Sequence, residues 1–294
     1  MRRLLLAAMM FGAASGAQAA DMPDFLRGSL SSGPSAPTRN WDGWYVGGQI
    51  GYTSADMDLS HAPQTQTNFM LRNSVLQAPL ADWQLLSRNH AQAGGFGAFV
   101  GRNYQWDDLV FGYEANYNYM TNLKSSSTNL MSRSIVNPAG ENPPDGHTHT
   151  YATTLTGDAS LQIKDVVTFR GRAGWATGNL LPYVFGGLAV GRVDASRTAS
   201  VSYDKYDDYD ITIQQGVNTV TVHQTDYLGS KSYPLSVERR ANSFVAGWTG
   251  GLGFEYMMWG NVFMRAEWEY IQFLKVKDMS FSTNSARLGV GYKF

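Results

Sequence analysis

Residues 94–119 read GGFGAFVGRNYQWDDLVFGYEANYNY. Ahead of Asp107-Asp108, Phe96, Ala98, Val100 and Tyr104 share one parity, and Gly95, Gly97, Gly101, Asn103 and Gln105 take the other. Beyond it, Leu109, Phe111, Tyr113, Ala115, Tyr117 and Tyr119 alternate with Val110, Gly112, Glu114, Asn116 and Asn118. A period of two on both sides of a short break predicts a hairpin whose strands each carry one apolar and one small or polar face.

The same alternation recurs along the chain. Residues 44–53 place Trp44, Val46, Gly48, Ile50 and Tyr52 opposite Tyr45, Gly47, Gln49, Gly51 and Thr53. Val167, Phe169, Ala173 and Trp175 alternate with Thr168, Arg170, Arg172 and Gly174. Phe244, Ala246, Trp248, Leu252, Phe254 and Tyr256 oppose Gly247, Thr249, Gly251, Gly253 and Glu255. Val262, Met264, Ala266, Trp268 and Tyr270 oppose Phe263, Arg265, Glu267 and Glu269, and Leu288, Val290, Tyr292 and Phe294 oppose Arg287, Gly289, Gly291 and Lys293. With the segment 181–193, whose facing the pattern leaves open, the count is eight strands.

Connection lengths alternate as well. Turns of a few residues join strands 2–3, 4–5 and 6–7, and a short loop joins 7–8. Residues 55–92, 121–160 and 194–241 supply excursions of 38, 40 and 48 residues between the others. Short turns at one end and long loops at the other describe an all-β fold: an eight-stranded antiparallel transmembrane β-barrel with three long extracellular loops. A water-soluble sandwich would also alternate, but its second face would be rich in Lys and Glu. Here that face is Gly, Asn, Thr and a few charges, which suits a narrow interior.

Composition agrees. Charged residues are 16% of the 294, well under the roughly 25% of an average soluble domain, and Gly (31) and aromatics (13%) are plentiful. Mean hydropathy is nevertheless −0.27, and past the N-terminus no apolar run reaches the ~18 residues of a spanning helix. Net charge of −1 gives no reason to expect nucleic acid. With no cysteine, disulfides, thiolate metal sites and cysteine nucleophiles are excluded.

Arg2 and Arg3, the apolar stretch Leu4–Ala14 and the Ala17-Gln18-Ala19 cleavage pattern read as a signal peptide over residues 1–19. Residues 20–43, with Pro23, Pro34 and Pro37 and no periodicity, read as a flexible linker, which leaves 44–294 for the barrel. The expected location is the outer membrane of a Gram-negative bacterium, among its lipids.

With the apolar faces turned to lipid, Glu114, Arg170, Arg172, Glu255, Arg265, Glu267, Glu269 and Arg287 point inward, four acids against four bases. Eight strands enclose a space that side chains just fill, so mutual pairing of these charges is expected rather than an open pore lined by them. A small porin-like channel is the alternative.

The opening Trp41-Asp42-Gly43-Trp44-Tyr45-Val46-Gly47-Gly48-Gln49-Ile50-Gly51-Tyr52 resembles the first strand of the small outer-membrane immunogenic and hemin-binding barrels, which are OmpA-like in form. Gly101-Arg102-Asn103-Tyr104-Gln105, Leu181-Pro182-Tyr183-Val184-Phe185-Gly186-Gly187 and Arg265-Ala266-Glu267-Trp268-Glu269-Tyr270 are similar too. The terminal strand, ending in Tyr292 and Phe294, looks like the family's insertion signal, read by the barrel assembly machinery. The resemblance implies roles in envelope structure, as host-facing antigen or adhesin, and in some members heme binding. The long loops depart from the family pattern.

All five histidines, His61, His90, His147, His149 and His223, fall in the excursions. His147 and His149 on one strand face offer a ligand pair for heme iron, with no fixed third ligand and no metal site otherwise indicated. Tyr203-Asp204-Lys205-Tyr206-Asp207-Asp208-Tyr209-Asp210 lacks the spacing and glycine of a calcium loop and reads as an aromatic recognition surface. Ile211 and Ile213, then Val220 and Val222, alternate around Gly216 as a hairpin above the membrane. His90 near Ser87 is the nearest approach to a catalytic pair, and no acid is placed to orient it, so no enzyme is expected. The functional expectation is surface presentation by an adhesin- or antigen-like crown, with heme capture from the host surface as the alternative.

Overall fold

The computed structural model describes residues 39–294; the leader read at 1–19 and most of the linker lie outside the described residues. Eight antiparallel strands close into one ring in sequence order. They are β1 (Gly43–Asp58), β2 (Arg88–Trp106), β3 (Leu109–Val136), β4 (His147–Trp175), β5 (Leu180–Gln215), β6 (Asn218–Trp259), β7 (Val262–Phe273) and β8 (Ser280–Lys293). Closure comes from β1 against β8, paired from Tyr45↔Lys293 to Asp58↔Ser280. No helix among the described residues is long and apolar enough to cross a membrane.

Around the lower half, the outward residues are apolar and exposed: Val46, Ile50, Phe96, Val100, Phe111, Phe169, Val184, Leu188, Leu252, Met264, Leu288 and Val290. Trp44, Trp106, Trp175, Trp259 and Tyr292 ring the short-turn end, and Tyr52, Tyr119, Trp248 and Tyr270 the other, as interfacial aromatic belts do. The fifth strand turns Pro182, Val184, Leu188 and Val190 outward and Leu181, Tyr183, Phe185 and Ala189 inward.

Above the upper belt the polarity inverts. In β5 the parity is unbroken, yet Val193, Ala195, Ala199 and Val201 now face inward and are buried, while Asp194, Ser196, Thr198 and Ser200 face out. Neighbouring strands reach the same inversion through bulges near one level: between Tyr119 and Leu123, between Ile163 and Asp165, and opposite Val193–Ala195 at Asn242. An extra residue re-aims the strand by one parity step. Asn122 and Asn242 take the left-handed backbone there, φ 61° and 52°, which Asn tolerates better than most residues.

The second and third excursions are therefore built chiefly from strand. β3–β4 pairing continues to Val136↔Thr150, and β5–β6 pairing to Gln215↔Asn218 around a turn at Gly216-Val217. Ile211↔Val222 and Ile213↔Val220 are in direct register. The first excursion differs. Residues 59–87 carry two short helices, α1 (Gln64–Met70) and α2 (Gln77–Ala81), and seat Leu59, Leu71, Leu76, Leu80 and Leu85 against the inner face of the tall strands. This apolar cap fills the upper barrel.

At the lower end the expected linker stops short of residue 43. Trp41 is buried, donates from its indole to Gly178 O (3.3 Å), and takes Gln105 Oε1 on its backbone N–H (2.6 Å). Arg39 Nη1 reaches Gly260 O at 3.0 Å. These bonds lay residues 39–42 across the mouth formed by the short turns, and β1 begins at Gly43.

Gly187 faces inward where a β-carbon would overlap the carbonyl oxygen of Phe169 on the paired strand. The neighbouring Gly186 faces lipid, where the same atom would meet nothing nearer than Thr249 O at 3.7 Å. Gly187→Ala is expected to cost about 1–3 kcal/mol, and Gly186→Ala close to nothing, read as urea midpoints of the heat-modifiable barrel in liposomes.

Candidate functional site

Two polar clusters stand out, one inside the membrane and one near the top of the tall strands. Alternation in β3, β4, β6, β7 and β8 brings Glu114, Arg170, Arg172, Glu255, Arg265, Glu267, Glu269 and Arg287 to one level of the lumen. Their side chains are at most 2% exposed. Glu114 is the hub. Its Oε1 accepts Arg170 Nε (2.9 Å) and Nη2 (2.5 Å), and its Oε2 accepts Arg265 Nη2 (2.5 Å) and the Tyr45 hydroxyl (2.8 Å). Glu255 Oε1 takes Arg172 Nη1 (2.8 Å) and Arg265 Nη2 (2.6 Å).

Glu267 Oε1 accepts Arg170 Nη2 and the Tyr183 hydroxyl, both at 2.5 Å. Glu269 accepts Thr249 Oγ1 (2.9 Å) and is paired with Arg287. The guanidinium groups also stack on rings: Arg265 over Phe99 at 3.8 Å, Arg170 over Phe185 and Arg172 over Tyr183, each at 3.9 Å. Four positive and four negative charges thus neutralise one another across a lumen whose remaining width is taken by aromatic rings. Cation–π contacts of this kind gain strength where water is excluded.

Sequence reasoning puts Tyr45 on the inner face but does not find its part in the charge cluster, nor that of Tyr183. Tyr45 lies on the face otherwise occupied by Gly47, Gln49 and Gly51 and is the aromatic exception there; Tyr183 lies on the strand whose facing the pattern leaves open. Arg197 is likewise unforeseen. Buried at the cap, it donates to Ala62 O (2.9 Å) and Lys277 O (3.1 Å) and pairs with Glu238 and Asp278 at 2.8 Å. It ties the first excursion to β5, β6 and the β7–β8 loop.

The upper cluster surrounds His147 and His149. His147 Nδ1 meets Asp207 Oδ2 at 2.7 Å, and its ring stacks on Tyr209 with centroids 4.4 Å apart. His149 is nearly buried, with Nδ1 2.7 Å from Glu141 Oε1 and Nε2 3.9 Å from Asp207 Oδ1. Glu141 also receives Lys205 Nζ (2.9 Å) and the Tyr151 hydroxyl (2.5 Å). Nδ1 of each histidine is thus engaged by a carboxylate, one ring face of His147 is covered by Tyr209, and Nε2 of His149 lies toward Asp207. The acids of the 203–210 run do not converge. Asp207 engages His147, Asp208 engages Thr150 (2.8 Å) and Thr225 (2.7 Å), and Asp210 engages His223 (2.9 Å). Among the described residues no group of three or more His, Asp or Glu is arranged to hold a metal ion.

Ser87 Oγ bonds Asn89 (3.0 Å) and Ser127 (3.1 Å) rather than His90; His90 is paired with Asp56, an acid across the β1–β2 ladder that the sequence reading does not place there. Tyr292 and Phe294 lie on the lipid face with rings edge to face at 5.2 Å, and Phe294 N–H donates to Trp44 O at 2.8 Å.

Glu114→Ala leaves three buried arginines short of a counter-charge. It should lower stability by about 3–5 kcal/mol, read as an earlier urea midpoint. At the upper cluster, burial alone would raise the pKa of Glu141, but hydrogen bonds from Tyr151, Lys205 and His149 outweigh it and hold the carboxyl down to about 2. Its contribution is therefore present above the ordinary value near 4.5 and is lost as pH falls from there toward 2. Protection factors over residues 137–151, taken against the intrinsic exchange rate at each pH, should fall between pH 4.5 and pH 2.5, and Glu141→Gln should remove that dependence.

A family model for the outer membrane protein β-barrel domain matches residues 4–294. The 25 kDa outer-membrane immunogenic protein of Brucella ovis is 23% identical over 261 residues, covering 88% of this chain and 81% of that one. Among solved structures, the N-terminal β-barrel domain of Pseudomonas aeruginosa OprF is 12% identical, with 84% of this chain and 97% of that chain covered and a TM-score of 0.32. Ail, the attachment invasion locus protein of Yersinia pestis, is also 12% identical, with 86% and 99% covered and a TM-score of 0.31. The match across nearly the whole chain places this protein in the outer-membrane β-barrel domain family.

Proposed function

We propose that this chain is a non-conducting outer-membrane barrel that carries a rigid recognition crown on the cell surface. The observation that carries the reading is the wall of β3–β6, which continues far beyond the upper aromatic belt. From Arg192 to Gln215, β5 alone extends 24 residues, roughly 75–80 Å of strand at about 3.3 Å per residue. A connection between membrane strands needs no such length.

The distal hairpin presents Tyr206 beside Tyr227 (centroids 5.7 Å apart) and Tyr209 bonded to Asp226 (3.0 Å), with Val217, Val220 and Leu228 exposed near them. Tyrosines set among charges and apolar tips suit protein recognition. The relative named an outer-membrane immunogenic protein supports a host-facing role as antigen or adhesin. Channel activity is disfavoured by two seals in series, the neutralised charge cluster and the leucine cap.

Joining Ser202 to Ser232 through a two-residue turn removes the distal hairpin. The shortened chain is expected to remain a folded, heat-modifiable barrel in the outer membrane. Bacteria displaying the full chain should adhere to epithelial monolayers, and bacteria displaying the shortened chain should not. Equal adherence of the two would refute a crown function for this hairpin.

A further inference from the structure

The tip of the crown carries an apolar face that belongs to no core. Pairing of β4 with β5 ends at His147↔Tyr209, so from Asp210 to His223 the hairpin is a ribbon of two strands. Strand parity divides its side chains. Thr212, Gln214, Thr219 and Thr221 lie on one face, the face of Asp208 and Thr225 below them. Ile211, Ile213, Val220 and Val222 lie on the other, in register as Ile211↔Val222 and Ile213↔Val220. Ile213 is 47% and Val220 42% exposed, and Val217 at the turn is fully exposed. None of the five joins the apolar clusters of the cap or the lumen.

Two carboxylates stand at the foot of this aliphatic face. Asp207 and Asp226 pair in direct register, and like charges so placed destabilise a ladder. Asp226 accepts the Tyr209 hydroxyl (3.0 Å) and Asp207 meets His147 (2.7 Å); among the described residues neither forms an ion pair with a Lys or Arg. Lys205, the next residue down that face on β5, is engaged by Glu141 at 2.9 Å. On the opposite face Asp208 meets Thr150 and Thr225, and Asp210 meets His223. Residues 206–226 contain four Asp and no Lys or Arg.

A two-stranded ribbon with one apolar face lacks the second layer that such a face calls for. Its width, about 10 Å with side chains, is that of one α-helix. From Asp207 to Ile213 the face runs roughly 20 Å at about 3.3 Å per residue, the length of about 13 helical residues. A second copy of the hairpin would cover the aliphatic side chains but would set its own four Asp against these. An anionic bilayer is disfavoured by the same charges. The surface complements a helix with one apolar stripe and Lys or Arg beside it.

We infer that the hairpin tip binds a cationic amphipathic helical peptide. Apolar residues of the peptide at i, i+3, i+4 and i+7 lie on Ile211, Ile213, Val220 and Val222. A Lys or Arg at one end of that stripe enters between Asp207 and Asp226 and relieves their repulsion. The inference rests on the crown reading and names the class of partner that the crown takes.

The test is surface plasmon resonance on the full chain held in zwitterionic nanodiscs. The chain shortened between Ser202 and Ser232, in the same nanodiscs, serves as the reference that subtracts binding to lipid. The probes are a Leu/Lys peptide of about 14 residues with helical spacing of its leucines and its Leu/Glu counterpart. The Leu/Lys peptide should bind the full chain above the reference, and the Leu/Glu peptide should not. Ile213→Thr with Val220→Thr, which keeps β-branched residues in the ribbon, should weaken binding about tenfold or more. Asp226→Asn should weaken it about two- to fivefold, the range of an exposed ion pair, and Thr212→Ala with Thr221→Ala on the opposite face should leave it unchanged. These sites are exposed, and heat-modifiability verifies folding of each variant. Equal binding to the reference, equal binding by the Ile213/Val220 variant, or equal binding of the Leu/Glu peptide would overturn the inference. Association of the barrels with one another through this face would also overturn it, by identifying a second copy as the occupant. If shortening abolishes adherence while the Leu/Lys peptide does not bind, the crown reading stands and this inference falls.

Discussion

Closure of the ring between β1 and β8 is the constraint from which the rest follows. Hydrocarbon offers no partner to a backbone amide, so every strand crossing it must be paired on both sides. With eight strands that requirement yields a lumen only wide enough for side chains. The interior then has to be solved as a packing problem. Glycines such as Gly187 accept the approach of a neighbouring strand, Tyr45, Phe99, Tyr183 and Phe263 take up the width, and the charges that enter must be neutralised within reach. Eight charges are a costly way to fill a core, since apolar substitutes are often as stable. What they give is a specific arrangement: Glu114 can meet Arg170, Arg172 and Arg265 together only when β3, β4 and β7 hold their proper register.

Above the upper belt the constraint lapses, because water can pair a free strand edge. There β6 parts from β7 beyond Gly247↔Phe273, and β3 parts from β2 beyond Gly95↔Met120. The barrel opens into a tall wall of four strands facing a short one. An opened barrel in water has a core to bury, and the inversion of polarity at the bulges supplies it. Apolar side chains that would face lipid lower down turn inward and meet the leucines of residues 59–87. The same alternation thus serves two solvents, and the bulges mark where one replaces the other.

This inversion accounts for what was and was not legible in the sequence. The eight membrane strands read clearly because their outward faces are uniformly apolar over nine or ten residues. The excursions read as loops because their outward faces are Ser, Thr and Asn, and the apolar parity changes at Lys164-Asp165 and Asn242 without a Gly or Pro to announce it. The facing of β5 could not be read for a different reason: Leu181, Tyr183 and Phe185 compete with Val184, Leu188 and Val190 for the lipid side, and only the three-dimensional ring decides. The inner charges could be placed by parity alone. Their partners could not, since strand tilt and stagger set which arginine meets which glutamate, and Tyr45 and Tyr183 lay hidden among residues chosen for bulk.

A strand-built crown also changes the energetics of recognition. A mobile loop of forty residues must be ordered when it binds, and each side chain immobilised at an interface costs about 0.5–1.5 kcal/mol. In the distal hairpin the ladder from Tyr203↔Lys231 to Gln215↔Asn218 already fixes the backbone. Tyr206, Tyr209 and Tyr227 are held by ring contacts and hydrogen bonds to neighbours. Beneath them, Glu141, Tyr151, His149 and Lys205 join the β3–β4 connection to the wall, so the hairpin stands on a braced base rather than on a hinge. Surface exchange on such a scaffold can alter what is bound without disturbing the fold, because no tip side chain takes part in the cap or in the membrane core. Divergence of binding among barrels of this kind should therefore concentrate at the hairpin tip, while the Glu114 cluster below it stays under the demands of packing and charge.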